Sequence, residues 1–346
     1  MYSPVVLTGG TGYLGSHILI ELLKKEYVVH LTTRDVERTK NNEWIKRLMN
    51  ENPGRLHIFP GDLMDKGSFD EAMKGAKGLI HAASPFLIDN VKDPKKELIE
   101  PAVKGTSNVL HAAEKAGTVE KVVLTSSVAA VHGDAIDIKE CDEGVFSEKH
   151  WNTSSSISHQ PYSYSKVTAE KEAWAINKGK SWKLVTINPG FIIGPAVVKR
   201  TDSASIKLIK GMLSGEFKTG VPDLHFVMVD VRDVARAHVL ALENNTAKGR
   251  FICASEPMSM WDVAKILKQE VGGKYTRLPK RKLPHFLTYL LGPFMADLTW
   301  KYLRRNLGIP VYVDNSKIKE TLGIEFRPMN ETLRDHAEQL ERDGLV

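Results

Sequence analysis

Six short runs of β-branched and apolar residues recur through the first half of the chain: "PVVLTGG", "YVVHLTTR", "LHIFPGD", "GLIHAAS", "KVVLTSS" and "KLVTINPG". Stretches with helical periodicity separate them, such as "SHILIELLKKE" and "IEPAVKGTSNVLHAAEKAG". Strands this short and apolar are buried on both faces, which requires a parallel sheet covered by helices on either side. The chain is therefore expected to be a doubly wound α/β protein. After Pro189 the alternation loosens, and "GPAVVKRTDSASIKLIKGMLSG" reads as a loop and helix leaving the sheet. The segments "HFVMVDVRDVARAHVLALE" and "RFICAS" read as a return to it, and residues 255–346 as a smaller lid over the strand ends. At 346 residues the chain can bury one large core or two modest ones.

Hydrophobic residues make up 42% and charged residues 26%, as in soluble globular proteins. The formal net charge of +6 leaves room for an anionic ligand, but lysines alternate with acids, as in "ELLKKE" and "AEKEAW", so nucleic acid is not an expected partner. Cys141 and Cys253 stand far apart in no metal-ligand spacing; neither a metal site nor a disulfide framework is expected, and the reducing cytoplasm is the expected compartment. "MYSPVVLTGG" runs into an apolar strand without a basic leader, against a secretory signal. The most membrane-like stretch, "LPHFLTYLLGPFMADL" at 283–298, is broken by Pro and Gly and short for a span. Its flanking "KRK" and "KYLRR" suit a bilayer surface, although a pocket or interface helix is the preferred reading. "HWNTSSSISHQ" at 150–160 reads as a surface connection.

"VVLTGGTGYLGSHILIELL" places Gly9, Gly12 and Gly15 between a strand and a helix, with Tyr13 and Leu14 inside the turn. Glycines there permit a tight turn and close approach of backbone N–H groups to a pyrophosphate, while the helix N-terminus favours its charge. No Lys-Ser/Thr of a nucleotide P-loop follows, so a dinucleotide is the expected ligand of a Rossmann domain. The second strand ends in "HLTTRD", where the adenosine ribose is read. Arg34 holds that position and suits a 2′-phosphate, with Arg38 and Lys40 adding positive field and Asp35 opposing it. NADP(H) is expected over NAD(H). Arg34 as a plain solvated charge is the other reading.

In "QPYSYSKVTAEKEAW" at 160–174, Tyr162 and Lys166 stand four apart and share a helix face. Tyr164 faces away. The motifs "TGGTGYLG", "GDLMDKGSFDEAMKGAKGLIHAASP", "VKGTSNVL", "TSS", "PYSYSK" and "NPGFIIGP", in that order, resemble the extended short-chain dehydrogenase/reductases. Within them the likeness is to the dihydroflavonol-reductase-like branch with its cinnamoyl-CoA and carbonyl reductases, and the tail "DNSKIKETLGIEFRPMNETLRD" extends it over nearly the whole chain. The resemblance implies that Ser127, Tyr162 and Lys166 form a catalytic group. It implies further that Asp62 and Leu63 lie near the adenine, Ala82, Ala83 and Ser84 beneath the cofactor, and Thr125 near the ribose and nicotinamide. Pro189, Phe191 and Ile192 then hold the nicotinamide end. Residues 1–190 and 226–254 are the expected dinucleotide domain; 191–225 and 255–346 are a discontinuous substrate-binding subdomain.

A carbonyl receiving hydride gathers negative charge on oxygen, so it needs a proton source and a donor to hold it. Tyr162 fits the first role and Ser127 the second, and the Lys166 ammonium is expected to lower the phenol's pKa and to reach the nicotinamide ribose. Alone, Ser127 reads as a cap. His81 reads as a core histidine. His132 stands where plant flavonoid reductases usually carry asparagine, which argues against a dihydroflavonol substrate. Phe86, Ile88, Phe191, Met212, Phe226 and "HFLTYLLGPF" supply apolar material for a small or medium aldehyde or ketone. The expected reaction is NADPH-dependent reduction of that carbonyl by a monomer or homodimer. Rival readings are a nucleotide-sugar epimerase or dehydratase, a 3β-hydroxysteroid-type dehydrogenase, and a non-catalytic NADP-sensing protein.

Overall fold

A computed structural model describes residues 2–84, 91–294 and 298–346. Phe86 and Ile88 lie outside the described residues. The six apolar runs form β1 (Val5–Thr8), β2 (Val29–Thr33), β3 (Leu56–Pro60), β4 (Gly78–His81), β5 (Lys121–Thr125) and β6 (Lys183–Pro189). Three later strands are β7 (Phe191–Ile193), β8 (His225–Asp230) and β9 (Gly249–Cys253), followed by β10 (Glu256–Ser259). The main sheet has seven strands in the order β3-β2-β1-β4-β5-β6-β9, and every pairing in it is parallel. Strand order reverses at β1, between β2 and β4, and at such a switch point the ends of the strands part to make a crevice.

Successive side chains on one strand feed opposite cores. Val5 and Leu7 join Ile18, Leu22 and Val234 on one face, whereas Val6 joins Val109, Leu110 and Ala173 on the other. This two-sided burial is why the strands read as unbroken apolar runs. Helices Tyr13–Lys24 and Val231–Glu243 cover the first face, and Glu100–Ala116 and Pro161–Asn177 the second.

One expected return to the sheet is corrected. "HFVMVD" is β8, which joins a separate three-stranded sheet in the order β10-β8-β7. Within it β8 runs parallel to β7 and antiparallel to β10. The outer edge of β6 is already taken by β9, with Val185 opposite Gly249, so β8 must pair elsewhere. Only "RFICAS" returns to the main sheet. The second layer has its own core, in which helices Ala204–Ser214, Met260–Val271 and Met329–Arg342 bury Ile206, Ile209, Val263, Leu267, Leu333 and Leu340. Met212 is fully buried there and is not a cavity wall.

The stretch 283–294 departs furthest from expectation. It forms a short helix, His285–Leu291, and a turn, Gly292–Phe294, with Phe286 73% and Phe294 88% exposed. It lines no part of the main cavity. Among the described residues no helix is long and apolar enough to cross a membrane.

Candidate active site

A cavity of about 940 Å³ runs across the carboxyl ends of β1, β2, β4, β5 and β6. Its phosphate end is the loop between β1 and helix Tyr13–Lys24. Gly9 takes φ +71°, and a β-carbon on it would sit 2.7 Å from the Ala83 backbone N. A β-carbon on Gly15 would lie 2.0 Å from Gly9 O. Both positions require glycine, so the helix N-terminus is drawn against the sheet with its first-turn N–H groups at the crevice. Gly12 caps that helix with no side-chain hydrogen bond and no acidic residue in the first turn. The cradle thus fits an anion, and the pyrophosphate of a dinucleotide has the matching charge.

Gly9, Gly12, Tyr13, Leu14 and Gly15 line the cavity, as do Arg34, Asp62, Leu63, Ala82, Ala83 and Ser84. Thr125, Pro189, Phe191 and Ile192 also line it. Arg34 is exposed at the end of β2. Asp35 is turned to local work, since its carboxylate accepts the Arg38 N–H at 2.9 Å and caps helix Val36–Lys40. Lys40 faces Glu37 at 3.6 Å, and neither Lys40 nor Arg38 lines the cavity, so Arg34 is the cation at the cavity wall here.

Ser127, Tyr162 and Lys166 line the middle of the cavity, and Tyr164 does not. The Tyr162–Lys166 spacing on helix Pro161–Asn177 holds the Lys166 Nζ 5.5 Å from the centre of the Tyr162 ring. Lys166 Nζ donates to Ser84 Oγ at 2.8 Å. Ser127 Oγ accepts the Ala129 N–H at 3.1 Å, capping the turn Val128–Ala130. A hydroxyl that accepts still carries its own proton, so capping and donation to a carbonyl oxygen are compatible.

The expected lowering of the Tyr162 pKa is overturned. Burial pushes the phenol above its ordinary value, and burial also lowers Lys166 to about 8. Desolvation penalises both charged forms, so the pair favours a neutral phenol that retains its proton at neutral pH. Such a phenol is suited to give a proton to a developing alkoxide.

Behind this group lies a buried carboxylate. Glu170 accepts Ser126 Oγ at 2.5 Å, Asn188 Nδ2 at 2.7 Å and Arg250 Nε at 2.6 Å. Asn188 Nδ2 also donates to Ser127 O at 3.1 Å, so β5, β6 and β9 are clamped to the helix that carries Tyr162. His81 is a core histidine: Nδ1 lies 2.7 Å from Thr8 Oγ1, and burial, then Lys166, lowers it to about 3. The Thr125 hydroxyl lies 2.7 Å from His238 Nε2, whose ring donates from Nδ1 to Val234 O. Thr125 is thereby tied to the helix beneath the sheet.

Asp134 organises the far wall and had no motif to announce it. It is fully buried and accepts from Asn306 Nδ2 at 2.8 Å, His159 Nε2 at 2.9 Å, Gln160 Nε2 at 2.5 Å and Arg305 Nε. Burial alone would raise this carboxyl, but the hydrogen bonds from Asn306, His159 and Arg305 hold it below the ordinary range. The loop "HWNTSSSISHQ" is not a plain surface connection. Asn152, Ser155 and His159 are buried, and Gln160 adopts φ 53°, ψ 58° to start the helix that carries Tyr162 and Lys166. Tyr302 and Asn306, one turn apart, reach the cavity from helix Trp300–Asn306. Their four-residue spacing was the available signal. Arg200, Ser205 and His225 also line the cavity without any motif. His132 lines it too, stacked 4.6 Å from Phe146, and neither ring nitrogen has a protein partner among the described residues. Burial lowers His132 to about 4, so the ring is neutral.

A doubly wound parallel sheet whose glycine loop shares one cavity with Ser127, Tyr162 and Lys166 defines an extended short-chain dehydrogenase/reductase. The chain belongs to the NAD dependent epimerase/dehydratase family, whose model matches residues 5–254. It is 33% identical to cinnamoyl-CoA reductase CAD2 of Medicago truncatula, over 97% of this chain and 95% of that relative. Its fold matches Gre2 from Candida albicans, solved in complex with NADPH, with TM-score 0.79, 30% identity and 98% of each chain covered. Yeast methylglyoxal/isovaleraldehyde reductase Gre2, also complexed with NADPH, gives TM-score 0.79 at 28% identity over 99% of each chain.

Proposed function

We propose that the protein is an NADPH-dependent reductase that converts an apolar aldehyde or ketone to the alcohol, with Tyr162 as general acid. Kinship to carbonyl reductases, two of them solved with NADPH, supports the reaction class and the cofactor. The observation that carries the reading is the convergence of Tyr162, Lys166 and Ser127 on the cavity that also holds the glycine loop and Arg34.

When bound, the reduced nicotinamide supplies the hydride. The glycine loop would hold the pyrophosphate, Arg34 the 2′-phosphate, and Pro189, Phe191 and Ile192 the nicotinamide end. Ser127 donates a hydrogen bond to the substrate oxygen, and Tyr162 passes its phenolic proton to that oxygen as the carbonyl carbon is reduced. Lys166, held by Ser84, supports the phenolate left behind. Phe191 and Phe226, with ring centres 5.5 Å apart, offer the substrate an apolar wall. The neutral His132 ring offers one donor and one acceptor to a polar substituent.

The test follows NADPH absorbance while aldehydes, diketones, ketoesters, flavonoids and sterols are supplied in turn. Consumption with small or medium apolar carbonyl compounds is expected, and at least tenfold less efficiently with NADH. No consumption with any of them, despite tight NADPH binding, would overturn the reading in favour of an epimerase or a sensing role.

A further inference from the structure

Helix His285–Leu291 is inverted relative to an ordinary amphipathic surface helix. Its buried residue is the polar Thr288, 3% exposed, whose hydroxyl donates to Pro284 O at 3.3 Å. Its apolar residues Phe286 and Leu290 point outward, 73% and 59% exposed. Phe294, 88% exposed, and Trp300 extend the patch, and Tyr289 stacks on Trp300 with ring centres 6.2 Å apart, which braces the segment. Isolated exposed apolar residues are ordinary, but several large ones within one short segment mark a contact surface.

Cations flank this segment along the chain. Lys280, Arg281 and Lys282 precede it, Lys301 and Arg304 follow it, and all five are exposed. Lys280, Lys301 and Arg304 make no ion pair among the described residues. The sequence from 277 to 305 contains one acidic residue, Asp297. Outward aromatic and aliphatic side chains bordered by lysine and arginine are the composition that seats a peripheral helix in an anionic lipid headgroup layer. A second copy of the chain would bring the same cations against the same patch, and like charges disfavour that contact.

We propose that the face formed by residues 280–294 and 300–304 docks the protein peripherally onto an anionic lipid surface. Phe286, Leu290 and Phe294 enter the interface, and Lys280, Lys301 and Arg304 engage headgroup phosphates and carboxylates. Helix Trp300–Asn306 carries both ends of the arrangement, with Trp300, Lys301 and Arg304 at the surface and Tyr302 and Asn306 at the cavity wall. The lipid-facing side is therefore about one helix diameter, roughly 10 Å, from the chamber. Docking rests on this surface and not on the reductase reading.

The test is sedimentation of the full chain with vesicles of phosphatidylcholine alone or with about one third phosphatidylserine. The expected result is at least tenfold stronger association with the serine-containing vesicles at low salt, lost near ~0.5 M salt. Phe286→Ser with Phe294→Ser, and separately Lys280→Gln with Lys301→Gln and Arg304→Gln, should each weaken it about tenfold while the thermal midpoint stays unchanged. Equal association with both vesicle types, none with either, or no response to the two variants would overturn the proposal. A concentration-dependent dimer that Phe294→Ser dissolves, together with no vesicle binding, would also overturn it and assign the patch to a second copy.

Discussion

The sequences of the cofactor end and of the tail carried unequal information about where their side chains go. At the cofactor end the candidates named from motifs, from Gly9 to Ile192, line one cavity. In the tail, the apolar run at 283–294 lies outside that cavity, and the tail's contribution to the wall comes from Tyr302, Asn306 and Val311. The difference teaches that a motif fixed by ligand contact is locally constrained in backbone and spacing. An apolar run is constrained only to meet something apolar, and which surface that is depends on the rest of the fold.

The sharpest way to break the contrast is to exchange the two tyrosines of "PYSYSK". Tyr162→Phe should lower kcat by about a thousandfold with NADPH affinity kept within about threefold, whereas Tyr164→Phe should stay within about twofold. Equal losses in stopped-flow turnover would remove the distinction between the helix faces.

Lys166→Met should lose about a hundredfold in kcat and also stabilise the cofactor-free protein, because the folded state no longer buries an ammonium. The sign follows from the lowered pKa. The unfolded chain binds more protons than the folded one between about pH 8 and the ordinary lysine value, so the cost is fully present below about 8 and fades as pH rises through that window. The gain in thermal midpoint should therefore be largest at neutral pH and vanish near ~10.5, the ordinary lysine pKa.

Arg34→Ala should lower the ratio of kcat/KM with NADPH to that with NADH by about tenfold or more, by loss of the charge-assisted bond to the 2′-phosphate. An unchanged ratio would return Arg34 to the solvated surface. In the tail, Asn306→Ala should destabilise the protein by about 1–3 kcal/mol, since it strands the Ala135 N–H and one hydrogen bond to buried Asp134. Calorimetry reads that change, and a smaller effect on kcat would mark Asn306 as part of the wall. The smallest effect is expected for Phe294→Ser, with kcat/KM on a water-soluble aldehyde within about twofold, as for an exposed residue outside the cavity.

The sequence by itself determined the elements whose logic is local. Burial on both faces made "VVLT", "KVVLT" and "KLVTINP" recognisable as strands, a β-carbon at Gly15 has nowhere to go, and a four-residue step puts Tyr162 and Lys166 on one side of a helix. The tertiary structure alone decided the rest. It gave β8 to the small sheet because β9 occupies the edge of β6, drew His159 and Asn306 onto Asp134, and buried the Tyr162 phenol so that it keeps its proton. The physical reason is that periodicity records that a side chain must be buried or solvated, while the identity of its partner and the depth of its desolvation arise from contacts between segments far apart in the chain.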